Sequence, residues 1–263
     1  MDLNTVAEVI SPAEVGQWRP GDAWLGGGTA LFGEPRPHLT RLLDLTTAGW
    51  PALTPHDDGL EIAATCTIAE LAASGHDIAE KCCHAFLASF KIWNVATVGG
   101  NLCAALPAGP MIALGAALDG TALLQSPGAE RVVRVADFVT GEGTSVLREG
   151  ELLRSMHLPA AALRAVTAYR QGSLHAHGRS GVLIIGRRGD GQDDKGLVLT
   201  VTAATKRPFV LRFPQPPSAE LLQVALTERI PDQAYVDDVH GLPAWRRQLT
   251  RRYAEEVRTE LMS

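Results

Sequence analysis

Residues 59–67 (GLEIAATCT) alternate apolar and polar positions, the period of a strand with one buried face. Shorter apolar runs at 23–27 (AWLGG) and 42–46 (LLDLT) also read as strands. The period changes at 67–74 (TIAELAAS), where Thr67 and Glu70 make a capping-box pair and predict a helix start. A second helix is predicted over 77–90. Ser11 followed by Pro12 predicts a helix start within 11–21. Beyond Pro110, the run MIALGAALDGTALLQS divides into a helical and a strand half, turning at Asp119-Gly120. Residues 130–139 alternate as a strand, and 150–159 close this block.

The pattern shifts near residue 160. Three strand-like runs, 182–187, 197–204 and 209–213, are joined by polar turns, the first of them (187–196, RRGDGQDDKG) a hairpin tip. Helices are predicted at 218–229 and 243–261. In the last, Arg246, Arg247, Arg251 and Arg252 interleave with apolar residues, which reads as a solvated face or a partner contact. The whole reads as α+β in two domains, 1–160 and 161–263, with a subdomain break in the first near 50–58. No repeat period is visible.

Composition narrows the class. The chain has 263 residues, 46% hydrophobic and 20% charged, so it can build a sizeable core. Its 29 acidic and 24 basic residues give a net charge of −5, which argues against a nucleic-acid partner. No apolar stretch reaches the roughly 18 residues that a membrane span needs. The start, MDLNTVAEVI, lacks the basic and apolar regions of a secretory signal, and a cytoplasmic protein is expected. Cys66, Cys82, Cys83 and Cys103 have no metal-ligand spacing and read as small buried hydrophobes. No metal site is expected.

Two glycine segments carry the candidate chemistry. Gly26-Gly27-Gly28-Thr29 directly follows the apolar Trp24-Leu25. Glycines bring bare N–H groups close to a ligand, and successive N–H donors turned one way cradle an anion such as a phosphate. A plain tight turn accounts for the same residues. Neither the P-loop nor the dinucleotide-fold fingerprint is present, because no Lys-Ser/Thr follows and the glycine spacing is wrong. The second segment, Thr97 with Gly99, Gly100 and Asn101, is another glycine-rich turn with hydroxyl and amide side chains. His175, His177 and Arg179 are a weaker candidate cluster, which a turn explains more readily. No catalytic acid, base or nucleophile stands out.

In order, WLGGGTALFGE, IWNVATVGGNLCAALPAGP, VADFVTGEGTSVLREGELLRSMHLP and AYRQGS resemble the FAD-binding subunit of molybdenum hydroxylases, the flavoproteins of xanthine dehydrogenase and carbon monoxide dehydrogenase. The resemblance covers about residues 1 to 175. It implies a two-subdomain FAD-binding fold of the molybdopterin-dehydrogenase flavoprotein type, followed by a small α+β domain with about three antiparallel strands. Leu25, Gly26, Gly27, Gly28, Thr29, Ala30 and Leu31 would wrap the FAD pyrophosphate. Thr97, Val98, Gly99, Gly100 and Asn101 would lie by the ribityl chain and ring, with Leu153 packing near the ring and Arg170 approaching the flavin. The molybdenum cofactor and iron–sulfur clusters would sit on partner chains, a molybdenum subunit and an iron–sulfur subunit or a fusion of the two. Electrons would pass from those clusters through FAD to NAD or another acceptor.

Two positions depart from the family pattern. Where its members have Ala-Ser-Pro-x-x-Asp, this chain has residues 105–110 as Ala-Leu-Pro-Ala-Gly-Pro, and a hydroxyl-bearing position is Ala104. If the carboxylate replaced by Pro110 holds a FAD hydroxyl, its loss costs about 1.5–3 kcal/mol of affinity. The C-terminal third keeps only the strand outline. These departures leave a stand-alone flavin oxidoreductase and a flavin-less scaffold as alternatives.

Overall fold

Three short strands open the chain: β1 (Glu8–Ile10), β2 (Asp22–Leu25) and β3 (Arg41–Asp44). In the computed structural model, which describes residues 3–12, 15–189 and 196–263, β3 lies between the other two and both run parallel to it. Parallel neighbours cannot be joined by a tight hairpin, so residues 26–40 travel back as a crossover, and the first glycine segment lies on it. Asp22, buried at the start of β2, accepts from Arg41 Nε at 2.9 Å and locks the two strands. The helix expected after Ser11 is reduced to one 3-10 turn at Val15–Gln17 with residues 13–14 outside the described set; no residue of that turn is buried, so no packing extends it.

A five-stranded antiparallel sheet follows, built from β4 (Leu53–His56), β5 (Gly59–Ala63), β6 (Thr121–Ser126), β7 (Ala129–Arg134) and, beyond the small pair β8 (Val139–Gly141) and β9 (Thr144–Ser145), β10 (Leu152–Pro159). Its order is β4-β5-β10-β6-β7, and a bulge between Leu153 and Ser155 bends the central strand. Helices α1 (Ile68–Ala72), α2 (Asp77–Ala85), α3 (Phe90–Trp93), α4 (Val98–Ala104) and α5 (Pro110–Ala117) fill the long connection between β5 and β6. The capping box forms as expected: Thr67 Oγ1 accepts from Glu70 N at 3.1 Å, and Glu70 Oε2 accepts from Thr67 N at 2.8 Å.

Three further boundaries differ from the sequence pattern by more than two residues. β5 ends at Ala63 rather than 67, because Thr67 is taken up as a cap. The helix expected to 90 ends at Ala85. The strand expected over 130–139 stops at Arg134, where one turn, α6 (Val135–Phe138), buries Val135 and Phe138 together at i and i+3.

After α7 (Ala160–Arg164), the three expected C-terminal strands appear as β12 (Val182–Arg188), β13 (Leu197–Thr202) and β14 (Phe209–Phe213), and β11 (Val166–Gly172) joins them as a fourth. They form an antiparallel meander in sequence order. Arg188 opposite Leu197 sets the hairpin register, while residues 190–195 of the expected tip lie outside the described residues. One face of this sheet carries α8 (Ala219–Arg229) and α9 (Pro243–Met262) over a core that includes Val182, Ile184, Leu222 and Val257. The other face sends Leu183 and Ile185 into the first core, where α5, buried at every residue, packs against it. No helix among the described residues is long and apolar enough to cross a membrane.

Candidate functional site

At the end of β2 the chain must turn away from the sheet edge, and the three glycines make that turn against the second glycine segment. A Cβ on Gly27 would lie 1.5 Å from the carbonyl oxygen of Val95, and one on Gly26 would lie 2.9 Å from Thr97 Oγ1. Gly28 has φ +71°, a left-handed conformation suited to glycine, and its bare Cα leaves room for the Phe32 ring. The two glycine segments, about seventy residues apart, are therefore neighbours.

The second segment is a helix rather than a turn. Thr97 Oγ1 accepts from Gly100 N at 3.0 Å and caps α4, placing both glycines in its first turn. Val98 N and Gly99 N donate to the carbonyls of Cys66 and Ala64 at 2.8 and 2.9 Å. That pairing brings the helix so close to the chain beyond β5 that a Cβ on Gly99 would stand 2.8 Å from the Ala64 carbonyl oxygen.

A cleft runs between these segments and β10. It has two adjoining hollows, of about 240 and 290 Å³, that share Trp24, Gly26, Thr97, Gly100 and Cys103 as walls. The first is lined by Leu45, Ala64, Leu147, Leu152 and Leu153, an apolar surface suited to a flat ring. Trp24 is fixed there by its Nε1–H, which donates to the Gly150 carbonyl at 3.2 Å. Glu151 also reaches this hollow, but its carboxylate accepts from Arg131 Nε and Nη2 at 2.8 and 2.6 Å and from Arg148 N at 2.8 Å. Those hydrogen bonds, Arg131's foremost, outweigh its burial and hold its carboxyl below the usual range, so it stays ionised and paired. Cys103 opens onto both hollows and is exposed, so it is a wall group of the cleft and not the buried hydrophobe expected from the sequence.

The second hollow is lined by residues 26–31 with Arg36 and Ala104. The backbone N–H groups of Gly27, Gly28, Thr29, Ala30 and Leu31 have no acceptor among the described residues. Five unclaimed donors on one short loop fit an anionic, oxygen-rich group.

Of the residues singled out from sequence, the structure gathers Gly26, Gly27, Gly28, Thr29, Ala30, Leu31, Thr97, Gly99, Gly100 and Leu153 around the cleft. Four others fall elsewhere. Leu25 ends β2, with its side chain beside Gly28, and Val98 is wholly buried in the first core. Asn101 lines neither hollow: its Oδ1 accepts from Met111 N at 3.1 Å and caps α5, whose own N-cap, Gly109, has no side chain for the task. Arg170 also lies apart from the cleft, because it points to the α9 face of β11 and pairs with Glu256 and Glu260 at 3.0 and 2.7 Å. Pro110 is buried at the first position of α5, where its missing N–H costs nothing, and it lines neither hollow. His175 and His177 are exposed in a turn closed by Gly178 N to the His175 carbonyl at 2.9 Å. Among the described residues, no three His, Cys, Asp or Glu side chains gather as metal ligands. Cys66 and Cys83 are buried thiols pushed up to about 12, and Cys82 is buried beside them.

Residues 5–161, well over half of the chain, match the family model for the FAD binding domain in molybdopterin dehydrogenase. The chain belongs to this FAD-binding family. Its fold is shared with quinoline 2-oxidoreductase from Pseudomonas putida 86, at 19% identity, a TM-score of 0.82, and coverage of 99% of this chain and 98% of that one. The carbon monoxide dehydrogenase from Hydrogenophaga pseudoflava aligns at 17% identity and TM-score 0.78 over 96% of each chain. A reconstituted carbon monoxide dehydrogenase from Oligotropha carboxidovorans aligns at 20% and 0.77, covering 91% and 90%. No curated protein matches the sequence.

The residues present fit FAD. The cofactor of this family has a diphosphate and a flat tricyclic ring, and the cleft offers a loop with five unclaimed N–H donors beside an apolar hollow. Sequence reading missed Trp24, Leu45, Leu147 and Cys103 as cleft walls. Trp24 carried a usable signal, since it directly precedes the glycines on the strand that delivers them. Leu45 and Leu147 carried none, because nothing in their neighbourhoods separates a cleft leucine from a core leucine.

Proposed function

We propose that this chain is the flavoprotein subunit of a molybdenum hydroxylase, taking electrons from iron–sulfur clusters on a partner chain and passing them through FAD to NAD or another acceptor. The observation that carries the reading is one cleft that joins five unclaimed backbone donors to an apolar hollow walled by Trp24, Leu45 and Leu153. Residues 27–31 would hold the diphosphate through backbone N–H groups. Thr97, with its oxygen engaged by Gly100 N, keeps its hydroxyl proton available to a cofactor oxygen. Gly26 and Gly100 keep the floor between the hollows open, and the apolar walls exclude water from the ring. Bound FAD supplies the ability to exchange one or two electrons, and the protein supplies its placement and surroundings. The substrate would be selected at a molybdenum centre on a partner chain.

The test is to purify the chain, saturate it with FAD, remove the excess and measure retained flavin per chain. Near-stoichiometric retention is expected, and failure to bind added FAD overturns the reading. Purification from the source organism tests the subunit assignment. A co-purifying large chain with molybdenum and iron is expected, whereas full turnover by this chain alone would favour a stand-alone flavin oxidoreductase.

A further inference from the structure

We infer that Arg36 is a ligand-binding residue: its guanidinium completes the loop hollow and makes the site selective for a diphosphate. The inference rests on the flavin reading above and adds to it a side chain and a specificity.

Arg36 lies just beyond the 3-10 turn Leu31–Gly33, between Pro35 and Pro37, and its side chain turns back to line the hollow formed by residues 26–31. Proline fixes φ on either side of it, so the chain that presents the guanidinium is stiff. Its Nε is buried and has no hydrogen-bond partner, and no carboxylate among the described residues lies within ion-pair distance. Several buried or half-buried arginines elsewhere are paired with carboxylates: Arg41 has Asp22, Arg131 has Glu151, Arg187 has Asp119 and Arg246 has Asp238. Arg154, the other arginine with a buried orphan nitrogen, lies 4.1 Å over the Trp50 ring and 3.7 Å from Glu61. Arg36 has neither a ring nor a carboxylate.

A buried N–H left without an acceptor is rare because it costs the full desolvation of the group. An arginine held this way, next to five backbone N–H groups that also lack acceptors, gives this side of the hollow a positive charge and a cluster of unclaimed donors. Uncharged sugars and amides carry no charge to pair with the guanidinium. A carboxylate has two oxygens, too few for a guanidinium and five amides. A diphosphate has enough oxygens, and its charge meets the one fixed cation of the hollow.

The experiment compares wild type, Arg36→Gln and Arg36→Lys by flavin-fluorescence titration with FAD and with riboflavin, which lacks phosphate, and by competition with ADP. Circular dichroism and thermal melts check that the variants are folded. Arg36→Gln is expected to bind FAD about 10- to 100-fold more weakly, the worth of one charge-assisted hydrogen bond. Its riboflavin affinity should match wild type, Arg36→Lys should recover part of the loss, and ADP should compete against wild type only. Equal FAD affinity in wild type and Arg36→Gln, or equal losses for FAD and riboflavin, would overturn the inference. Wild type that binds ADP through Arg36 but takes no FAD would sustain Arg36 as a diphosphate ligand and overturn the flavin reading. Wild type that binds neither would overturn both.

Discussion

Asn101 spends its side-chain carbonyl on the amide of Met111, which ties the middle of one cleft helix to the start of a helix buried at every residue. Replacing it by alanine leaves a part-buried N–H without a partner, so Asn101→Ala should lose about 1–3 kcal/mol in urea unfolding, while Asn101→Asp, which keeps an acceptor, should lose much less. Equal losses would show that the bond does not matter. The glycines differ among themselves in the same measurable way. Gly27→Ala drives a Cβ to 1.5 Å from a backbone carbonyl that cannot swing aside, and a loss of about 2–4 kcal/mol with loss of FAD binding is expected. Gly100→Ala meets only Thr97 Oγ1 at 3.0 Å, and a gain of about 1 kcal/mol in helix propensity offsets that crowding, so its melting temperature should stay near wild type. At this scale the sequence marked which residues are special and missed why. Glycine content showed that something comes close, but whether it is a ligand or another stretch of backbone depends on a neighbour seventy residues away.

Elements were legible wherever one local rule governed them. The Thr67–Glu70 capping box, the alternation of β5 and the helix–strand halves around Asp119 all formed near their expected places. Elements set by tertiary packing were not: α4 reads as a turn because two glycines sit in its first turn, and its backbone bonds to residues 64–66 hold it. The last helix shows both cases. Arg246, Thr250, Ala254, Val257 and Leu261 fall every three or four residues and form its buried stripe, so the arginine belongs to the core face and not to the solvated one. Buried Arg246 donates to the carbonyls of Gly241, Gly181 and Ala203 at 2.9, 2.7 and 2.7 Å and pairs with Asp238, so α9 is stitched to two loops of the sheet. Arg246→Met would strand these acceptors, and a loss of about 3–5 kcal/mol is expected in chemical denaturation. Arg247→Met, which removes an exposed pair with Asp232, should cost less than about 1 kcal/mol. Similar losses in the two variants would refute the distinction.

Across the whole molecule, the cleft-bearing part and the C-terminal sheet meet along α5, and Asp119 just beyond it bridges to Arg187 on β12 and Arg212 on β14. Arg187 also donates to the Ala117 carbonyl at 2.7 Å, which fixes the end of α5 against the sheet. Burial acts to raise the Asp119 carboxyl, but the hydrogen bond from Arg212 and the charges of Arg187 and Arg212 outweigh it and hold it below the ordinary carboxylate range. A carboxyl depressed in the folded state adds stability above its unfolded pKa of about 3.9, and loses that contribution as pH falls through the lower folded value. Asp22, with Arg41 foremost, and Glu151, with Arg131 foremost, are depressed in the same direction. Acid should therefore weaken the first sheet, the cleft wall and the junction over one range below about pH 4. Asp119→Asn isolates the junction, because asparagine tolerates the left-handed φ of 53° that alanine would strain. Its thermal midpoint should fall below wild type at neutral pH and low salt. The gap should narrow as pH drops below about 4, where wild type also loses the charge, and narrow again in about 1 M salt, because the group is partly exposed. A gap that stays constant with pH would mean that Asp119 holds the two parts together by shape and hydrogen bonding, with its charge contributing nothing.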